Sequence, residues 1–230
     1  MFVQLPTRQK SGLRWATPLV FAALWLAFLW ASTRPDAVQR AWLQEWGALT
    51  GGPAAADTLR ALWAEQHWLR LFSAIFLHAD WAHLLGNLLF LLIFGLPAER
   101  AMGAWRFLLL FLLGGALANL ATVFMIGTPV RLIIGASGAV SAVIGAYLAL
   151  FPRAKLGLVV PLGLFLEFIR VPAAALIGGW ALLQVVFAYI GPAFGTVAWI
   201  AHIAGFLFGV IFALAARAAV ARRLRGNRGL

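Results

Sequence analysis

Three apolar stretches of this 230-residue chain each contain a polar side chain of a type that takes part in acyl transfer. Ser137 is a potential nucleophile, His202 a potential general base and Asn87 a potential hydrogen-bond donor. A serine hydroxyl is a weak nucleophile by itself and needs a neighbouring base, which an imidazole provides near neutral pH. The tetrahedral intermediate of such a reaction also needs donors for its oxyanion. These residue types therefore suggest hydrolysis through an acyl intermediate, provided that the fold brings them together.

Further residues beside these three fit the same chemistry. His83 lies four residues before Asn87 and therefore shares its helix face, so both are candidate oxyanion donors together with the N–H of Ser137. Gly135 and Gly138 flank Ser137 and permit a tight backbone that exposes its hydroxyl and N–H. Because the apolar stretch around His202 contains no Asp or Glu, we predict a Ser/His dyad without an acidic third member.

The composition indicates which elements must position these side chains. Hydrophobic residues make up 63% of the chain and charged residues only 11%, with no cysteine and a mean hydropathy of +0.93. A soluble domain is about half apolar and about a quarter charged, so the sequence predicts a membrane protein. The absence of cysteine excludes a thiol nucleophile and thiolate metal sites, and we expect no metal and no cofactor.

Uncharged intervals divide the chain into six predicted transmembrane helices. The intervals 15–33, 81–98, 107–130 and 132–152 are each long enough for one helix across a bilayer. The interval 171–216 is too long for one span, and the helix-breaking run 191–195 splits it into two. The interval 156–166 is too short to span and is predicted to be a connecting segment at the interface. The predicted fold class is therefore an all-α polytopic membrane protein.

The distribution of basic residues predicts the orientation. We expect a cytoplasmic N-terminal tail at 1–14, a six-span domain at 15–217 with an outer loop at 34–80, and a basic cytoplasmic tail at 218–230. This division puts 13 Lys and Arg on one side and five on the other, so both termini should face the cytoplasm. The formal charge of +11 is then a topology signal and an attraction to anionic lipids, and no nucleic-acid partner is expected.

The predicted topology puts the three candidate residues at one depth. Asn87, Ser137 and His202 each lie six or seven residues past the outer boundary of their helix, roughly 10 Å below the surface. Small residues would let these helices approach, since Gly205 and Gly209 share a face with His202. A lone serine or histidine in such helices would be interpreted first as packing, and only their shared depth and order favour catalysis.

Several motifs, in matching order over residues 60 to 216, resemble those of the rhomboid family of intramembrane serine proteases. The segment 135–138 is similar to the GxSG motif, and 78–87, which begins with His78, resembles HxxxxHxxxN. His202 with Gly205 and Gly209 resembles the histidine helix, and the segment 95–103 resembles GxxxExxxG around Glu99. Glu99 itself we expect to have a structural role, capping or pairing at the cytoplasmic end.

This resemblance implies a six-transmembrane-helix rhomboid-like bundle. It also implies a dyad of Ser137 and His202, an oxyanion site that includes His83 and Asn87, and cleavage of other transmembrane proteins in or beside their spanning helix. The implied location is the bilayer of a bacterial inner membrane, with the site opening to the outer side. The oligomeric state and the natural substrate are not predicted.

One position departs from the family pattern. Many members carry an aromatic residue four positions after the nucleophile, where it packs against the histidine ring, whereas this sequence has Ser141. We expect Trp199 or Tyr189 to take that place. The main alternative function is a catalytically silent rhomboid-like protein that binds transmembrane clients, and a small transporter is a weaker one. The presence of both Ser137 and His202 favours the protease.

Overall fold

The computed structural model describes residues 14–50, 67–126, 130–162, 165–190 and 198–226, and these form a bundle of apolar helices. The helices are α1 (Ala16–Ser32), α2 (Asp36–Trp46), α3 (Trp68–Ser73), α4 (Trp81–Met102), α5 (Ala104–Met125), α6 (Ser137–Leu150), α7 (Ala173–Ile190) and α8 (Ala198–Gly226). The strands are β1 (Ala48–Leu49), β2 (Leu132–Ile133), β3 (Lys155–Leu162) and β4 (Phe165–Pro172). They form two separate antiparallel pairs and no closed sheet within the described ranges. The predicted all-α membrane fold class is confirmed.

Three helices are long and apolar enough to cross a membrane. They are Trp81–Met102, Ala104–Met125 and Trp199–Arg223. Three shorter apolar helices, Ala16–Ser32, Ser137–Leu150 and Ala173–Val186, occupy the positions of the other predicted spans. Six membrane crossings therefore stay a prediction. The run 191–195, which was predicted to break the long apolar interval, lies outside the described residues.

Helix α6 lies at the centre of the bundle, where residues 138–147 are all buried. Most of these side chains are small, and the neighbouring helices also present glycine. A Cβ atom on Gly114 of α5 would lie 2.5 Å from the Cβ of Ala142, and one on Gly115 would lie 3.0 Å from that of Ala139. Because lipid tails are as apolar as the helices, close packing of this kind holds membrane helices together.

The segment before α6 is held by contacts with the predicted outer loop. Strand β1 pairs with β2, so that Ala48 lies opposite Ile133. Helix α5 in turn holds α3 of this loop, because the Asn119 side-chain amide donates to the Leu71 carbonyl at 2.8 Å. These bonds satisfy backbone groups that would otherwise be buried without partners. They fix the position of the turn that leads to Ser137.

The short apolar interval 156–166 forms part of a β-hairpin. Strands β3 and β4 pair along eight residues each, from Lys155 opposite Pro172 to Leu162 opposite Phe165. We predicted only a connecting segment here. An antiparallel pair satisfies its own backbone hydrogen bonds without the length that a spanning helix requires, and hydropathy alone does not distinguish the two.

Glu99 caps the first helix from inside the bundle. Its carboxylate is 1% exposed and accepts the backbone N–H groups of Ala16 and Thr17, both at 2.9 Å. The first N–H groups of a helix have no acceptor within the helix, and a negative charge there also favours the helix dipole. The predicted capping role of Glu99 is confirmed.

Candidate active site

Ser137 follows a turn that only glycine can make. Gly135 has φ +115°, and its N–H donates to the Ala74 carbonyl at 2.9 Å. A Cβ atom on Gly135 would lie 2.5 Å from both Cε1 and Nε2 of His83. The turn makes Ser137 the half-buried first residue of α6. The first N–H groups of a helix lack intrahelical acceptors, so the N–H of Ser137 is positioned as a donor.

Helices α6 and α8 touch backbone to backbone beside Ser137. Gly205 lies directly against the carbonyl of Gly138, and no side chain larger than hydrogen would fit between them. A Cβ atom on Gly138 would lie 3.6 Å from the carbonyl oxygen of Ala201. Ala201 precedes His202 and Gly138 follows Ser137, so the predicted base and nucleophile occupy adjoining positions of two touching helices. The contact with Gly138 explains the need for glycine at 205, whereas glycine is needed at 138 because a Cβ atom there would lie 2.6 Å from the Cβ of Ala118 on α5.

Gly209 repeats this contact one turn deeper. It lies against the carbonyl of Ala142, again with no space for a Cβ atom. The contact also occurs with the roles of the two helices exchanged, since Gly145 of α6 lies against the carbonyl of Phe206 of α8. The stripe of small residues that was predicted to let the helices approach therefore forms the contact, and it holds α8 against α6 along two turns.

The His202 ring is bound through one nitrogen and open at the other. Its Nδ1 lies 2.8 Å from Oε1 of Gln184 on α7. Within the described residues, its buried Nε2 has no hydrogen-bond partner. A proton on Nδ1, donated to the Gln184 oxygen, leaves a lone pair on Nε2 for accepting a proton. From the sequence, Gln184 was interpreted as a packing hydrogen bond and not as a site residue, although a glutamine in an apolar helix is a signal of function.

Two tryptophans pack against the His202 ring in place of the aromatic residue of the family pattern, whose position is occupied by Ser141 in this chain. The Trp199 ring lies edge-on with its centroid 5.9 Å away, which confirms one of the two predicted substitutes. The Trp180 ring of α7 lies 6.2 Å away, tilted by 33°. The suggestion of Tyr189 is wrong, because its side chain is 92% exposed. It points away from the bundle, whereas the two tryptophans fix the ring from two directions.

The structure brings His83 and Asn87 to the turn before Ser137. The His83 ring faces Gly135, and its backbone N–H donates to the Asp80 carboxylate at 2.8 Å. Both amide hydrogens of Asn87 are engaged, because its Nδ2 lies 3.2 Å from Nε2 of His78 and 3.0 Å from the His83 carbonyl. Asn87 would have to exchange one of these bonds to donate to an oxyanion. That role stays a prediction.

His78 supports the turn before Ser137 through a hydrogen bond to its backbone. Its side chain is 1% exposed, and its Nε2 accepts the N–H of Ala136 at 3.4 Å. To accept from Ala136 and Asn87, the ring must carry its proton on Nδ1. Burial, and then the nearby His83, lowers the pKa of His78 from 6.5 to about 4, so this side chain is neutral at pH 7. The sequence placed His78 in a motif but gave it no defined role.

Acid should weaken the fold through His78. At this position the unfolded chain binds a proton near pH 6.5 and the folded chain only near pH 4. The contribution of neutral His78 to the free energy of unfolding is therefore complete above pH 6.5 and decreases as the pH falls towards 4. The largest possible loss is about 3 kcal/mol. We expect the melting temperature of the detergent-solubilised protein to fall between pH 7 and pH 4.5, and to fall less in His78→Gln. An equal decrease in both proteins would contradict the assignment to His78.

An apolar cavity opens between α4 and α7. It has a volume of 410 Å³, and its lining includes Phe90, Phe94, Ile177 and Trp180. Trp180 therefore lies between this cavity and the candidate base, because its ring also packs on the His202 ring. Within the described ranges, no three His, Cys, Asp or Glu side chains are grouped so that they could hold a metal ion.

Comparison with known proteins decides the family. A family model described as the Rhomboid domain matches residues 65–219, which is more than half of the chain. The chain belongs to the rhomboid family. This match includes every predicted site residue of the rhomboid, from His83 and Asn87 on α4 to His202, Gly205 and Gly209 on α8, and the all-α bundle is that of a rhomboid-like integral membrane protein.

Relatives of this rhomboid occur in bacteria, plants and animals. It is 36% identical over 114 residues to the rhomboid protease GluP of Bacillus subtilis, covering 46% of the chain and 22% of that protein. It is 33% identical over 148 residues to the chloroplastic Rhomboid-like protein 11 of Arabidopsis thaliana, covering 63% and 51%. It is 36% identical over 83 residues to Rhomboid-related protein 2 of Mus musculus, covering 36% and 26%. The chain thus spans about half or less of the length of these relatives.

Proposed function

We propose that this rhomboid is an intramembrane serine endopeptidase in which Ser137 is the nucleophile and His202 the general base. The observation that carries the proposal is the contact of α6 with α8, where Gly205 lies against the Gly138 carbonyl beside both residues. Two helices from distant parts of the sequence are in backbone contact there, which is the close approach that a dyad of Ser137 and His202 needs. Similarity to proteins named as rhomboid proteases supports the same function.

The reaction follows from these groups. The Ser137 oxygen attacks the carbonyl carbon of a peptide bond, and Nε2 of His202 takes the hydroxyl proton. The tetrahedral intermediate then collapses, the C–N bond breaks, and His202 returns the proton to the leaving amine. Water then attacks the acyl carbon while His202 takes one of its protons. The ester C–O bond breaks, His202 returns that proton to the Ser137 oxygen, and the second product leaves as a carboxylic acid. His202 is an imidazolium in each tetrahedral intermediate and is neutral again at the end of acylation and of deacylation, so no acidic third residue is needed for proton balance.

The oxyanion forms beside the turn at Gly135. The N–H of Ser137 is one proposed donor, and the His83 ring and the Asn87 amide are the others. Fixed donors act strongly in a site of low dielectric, because they need no rearrangement as charge develops. The bonds from Asn87 to His78 and to the His83 carbonyl orient this amide before substrate arrives, and one of them is exchanged for the bond to the oxyanion.

The proposed substrates are other transmembrane proteins, which would enter from the bilayer. The cavity between α4 and α7 provides an apolar route that reaches Trp180 and so the neighbourhood of His202. A helical substrate must unwind locally before a peptide bond can reach Ser137, because helical carbonyls are already hydrogen-bonded. We therefore expect cleavage near small or helix-breaking residues at the outer end of the substrate helix.

A fluorophosphonate probe tests the chemistry without knowledge of the substrate. Such a probe phosphorylates a serine only where a base activates it, so the detergent-solubilised protein should be labelled and Ser137→Ala should not. A folded wild-type protein that resists labelling would refute the protease and support the catalytically silent client-binding protein instead.

We further propose that both termini face the cytoplasm of a bacterial cell, that the membrane domain occupies 15–217, and that the loop 34–80 and the active site face outward. The excess of 13 Lys and Arg over five supports this orientation. We expect an alkaline phosphatase fusion to be active at Gly51 and inactive after Gly226. The reverse pattern would overturn the orientation and with it the outward-facing site.

A further inference from the structure

The partner of His202 is a neutral amide on the helix that borders the cavity. Gln184 of α7 is 6% exposed, and its Oε1 lies 2.8 Å from Nδ1 of His202. We propose that Gln184 is a positioning residue that fixes the tautomer and orientation of His202. This inference rests on the proposed function, because it assigns Gln184 a role in the same proton transfer.

The direction of this hydrogen bond decides whether His202 can act as a base. With Oε1 facing the ring, Nδ1 carries the proton and Nε2 keeps its lone pair for the Ser137 hydroxyl. With the amide reversed, Nδ1 would accept, the proton would lie on Nε2, and His202 could not take another from Ser137. Since Nε2 has no other partner among the described residues, Gln184 is the hydrogen-bonding group that sets the tautomer.

The surroundings of Gln184 indicate that the amide is there for this bond. Its neighbours on α7 are apolar and face outward, with Leu182 63% exposed, Leu183 53% and Val185 51%. Burying an amide in an apolar bundle costs free energy unless it is hydrogen-bonded. Gln184 alone of this run points inward, and His202 is the group that it meets.

A neutral acceptor suits this location better than a carboxylate. A lone carboxylate on an apolar helix would carry a large desolvation cost, whereas an amide oxygen accepts the same hydrogen bond without a net charge. The amide also stays bonded when His202 becomes an imidazolium during the reaction, because Nδ1 remains a donor in both states. Gln184 thereby holds the ring throughout the catalytic cycle.

Three variants distinguish a positioning role of Gln184 from a packing role. Gln184→Leu keeps much of the volume but removes the acceptor, so kcat and the rate of fluorophosphonate labelling should fall about 10–100-fold with KM little changed. Gln184→Glu keeps an acceptor at the same reach and should retain more activity than Gln184→Leu. Leu182→Ala, two residues away on the exposed face, is the matched control and should behave as wild type.

Gln184→Glu should also shift the pH–rate profile, which a packing role of residue 184 would not do. A carboxylate at Nδ1 stabilises the imidazolium, so the acidic limb of the pH–rate profile should move to higher pH. Among the described residues, His83 on α4 is the other titratable side chain whose charge acts on His202, and it is unchanged in this variant. An unmoved acidic limb would contradict a direct bond between residue 184 and the base.

The outcomes distinguish this inference from the function on which it rests. If wild type is labelled at Ser137 and Gln184→Leu is labelled equally fast, the protease stands and the role of Gln184 is refuted. Equal losses in Gln184→Leu and Gln184→Glu would also refute it, because an acceptor would then not matter. If the leucine variant does not fold, the pH–rate profile of the glutamate variant decides whether residue 184 bonds directly to His202. If wild type is not labelled at all, the proposed function itself fails.

Discussion

Replacing Ser137 with alanine should abolish both proteolysis and fluorophosphonate labelling. Loss of a serine nucleophile lowers the turnover of a serine protease by a factor on the order of 10⁶, since no other group can form the acyl-enzyme. His202→Ala should have nearly the same effect, and the double variant should be no worse, because the two residues act as a unit. Turnover of a transmembrane model substrate in proteoliposomes measures all three.

Ser141→Ala is the matched control. Ser141 lies one turn farther along α6, on the same face as Ser137, so it is the other hydroxyl that could approach His202. Its side chain is 1% exposed and already donates to the Ser137 carbonyl at 2.6 Å, whereas Ser137 is half-buried at the helix start. We expect Ser141→Ala to keep most of the activity. Labelling that persists in Ser137→Ala and disappears only when Ser141 is also replaced would identify Ser141 as the nucleophile.

After the loss of Ser137 or His202, Gly135→Ala should cause the next-largest decrease in turnover. At φ +115° an alanine is strained, which costs about 1–3 kcal/mol of stability. Its Cβ would also lie 2.5 Å from Cε1 and Nε2 of His83, so the ring must move away from the turn. Because His83 and the N–H of Ser137 are proposed oxyanion donors, we expect turnover to fall about 10²–10³-fold, as when one donor is lost.

Gly86→Ala tests whether any added methyl group near the site has this effect. Gly86 lies between His83 and Asn87 on α4, and a Cβ atom there would meet nothing within 4 Å. An alanine is favoured over glycine inside a helix by about 0.5–1 kcal/mol. We therefore expect Gly86→Ala to be active and at least as stable as wild type. Full activity in Gly135→Ala, with the same substrate and detergent, would show that the turn does not position the oxyanion donors.

The sequence by itself determined the class of the molecule and its candidate residues. Long uncharged intervals indicate membrane helices because a charged group inside a bilayer is costly, and that rule requires no knowledge of packing. The same rule identified Asn87, Ser137 and His202 as polar exceptions. Glycine spacing on α8 indicated the face that approaches α6, since small residues on one helix face permit close contact. The roles of these residues in catalysis stay predictions.

Only the tertiary structure decided which side chains meet. The large apolar residues of a membrane helix give no sequence signal for its inward face, because both lipid and bundle interior accept them. The contact of Gln184 with His202 depends on how α7 is rotated, and the burial of His78 beside the turn depends on how the segment before α4 lies against the start of α6. Trp180 instead of Tyr189 packs on His202 for the same reason. The hairpin of β3 and β4 likewise arises from pairing between two segments, which hydropathy along one segment does not reveal.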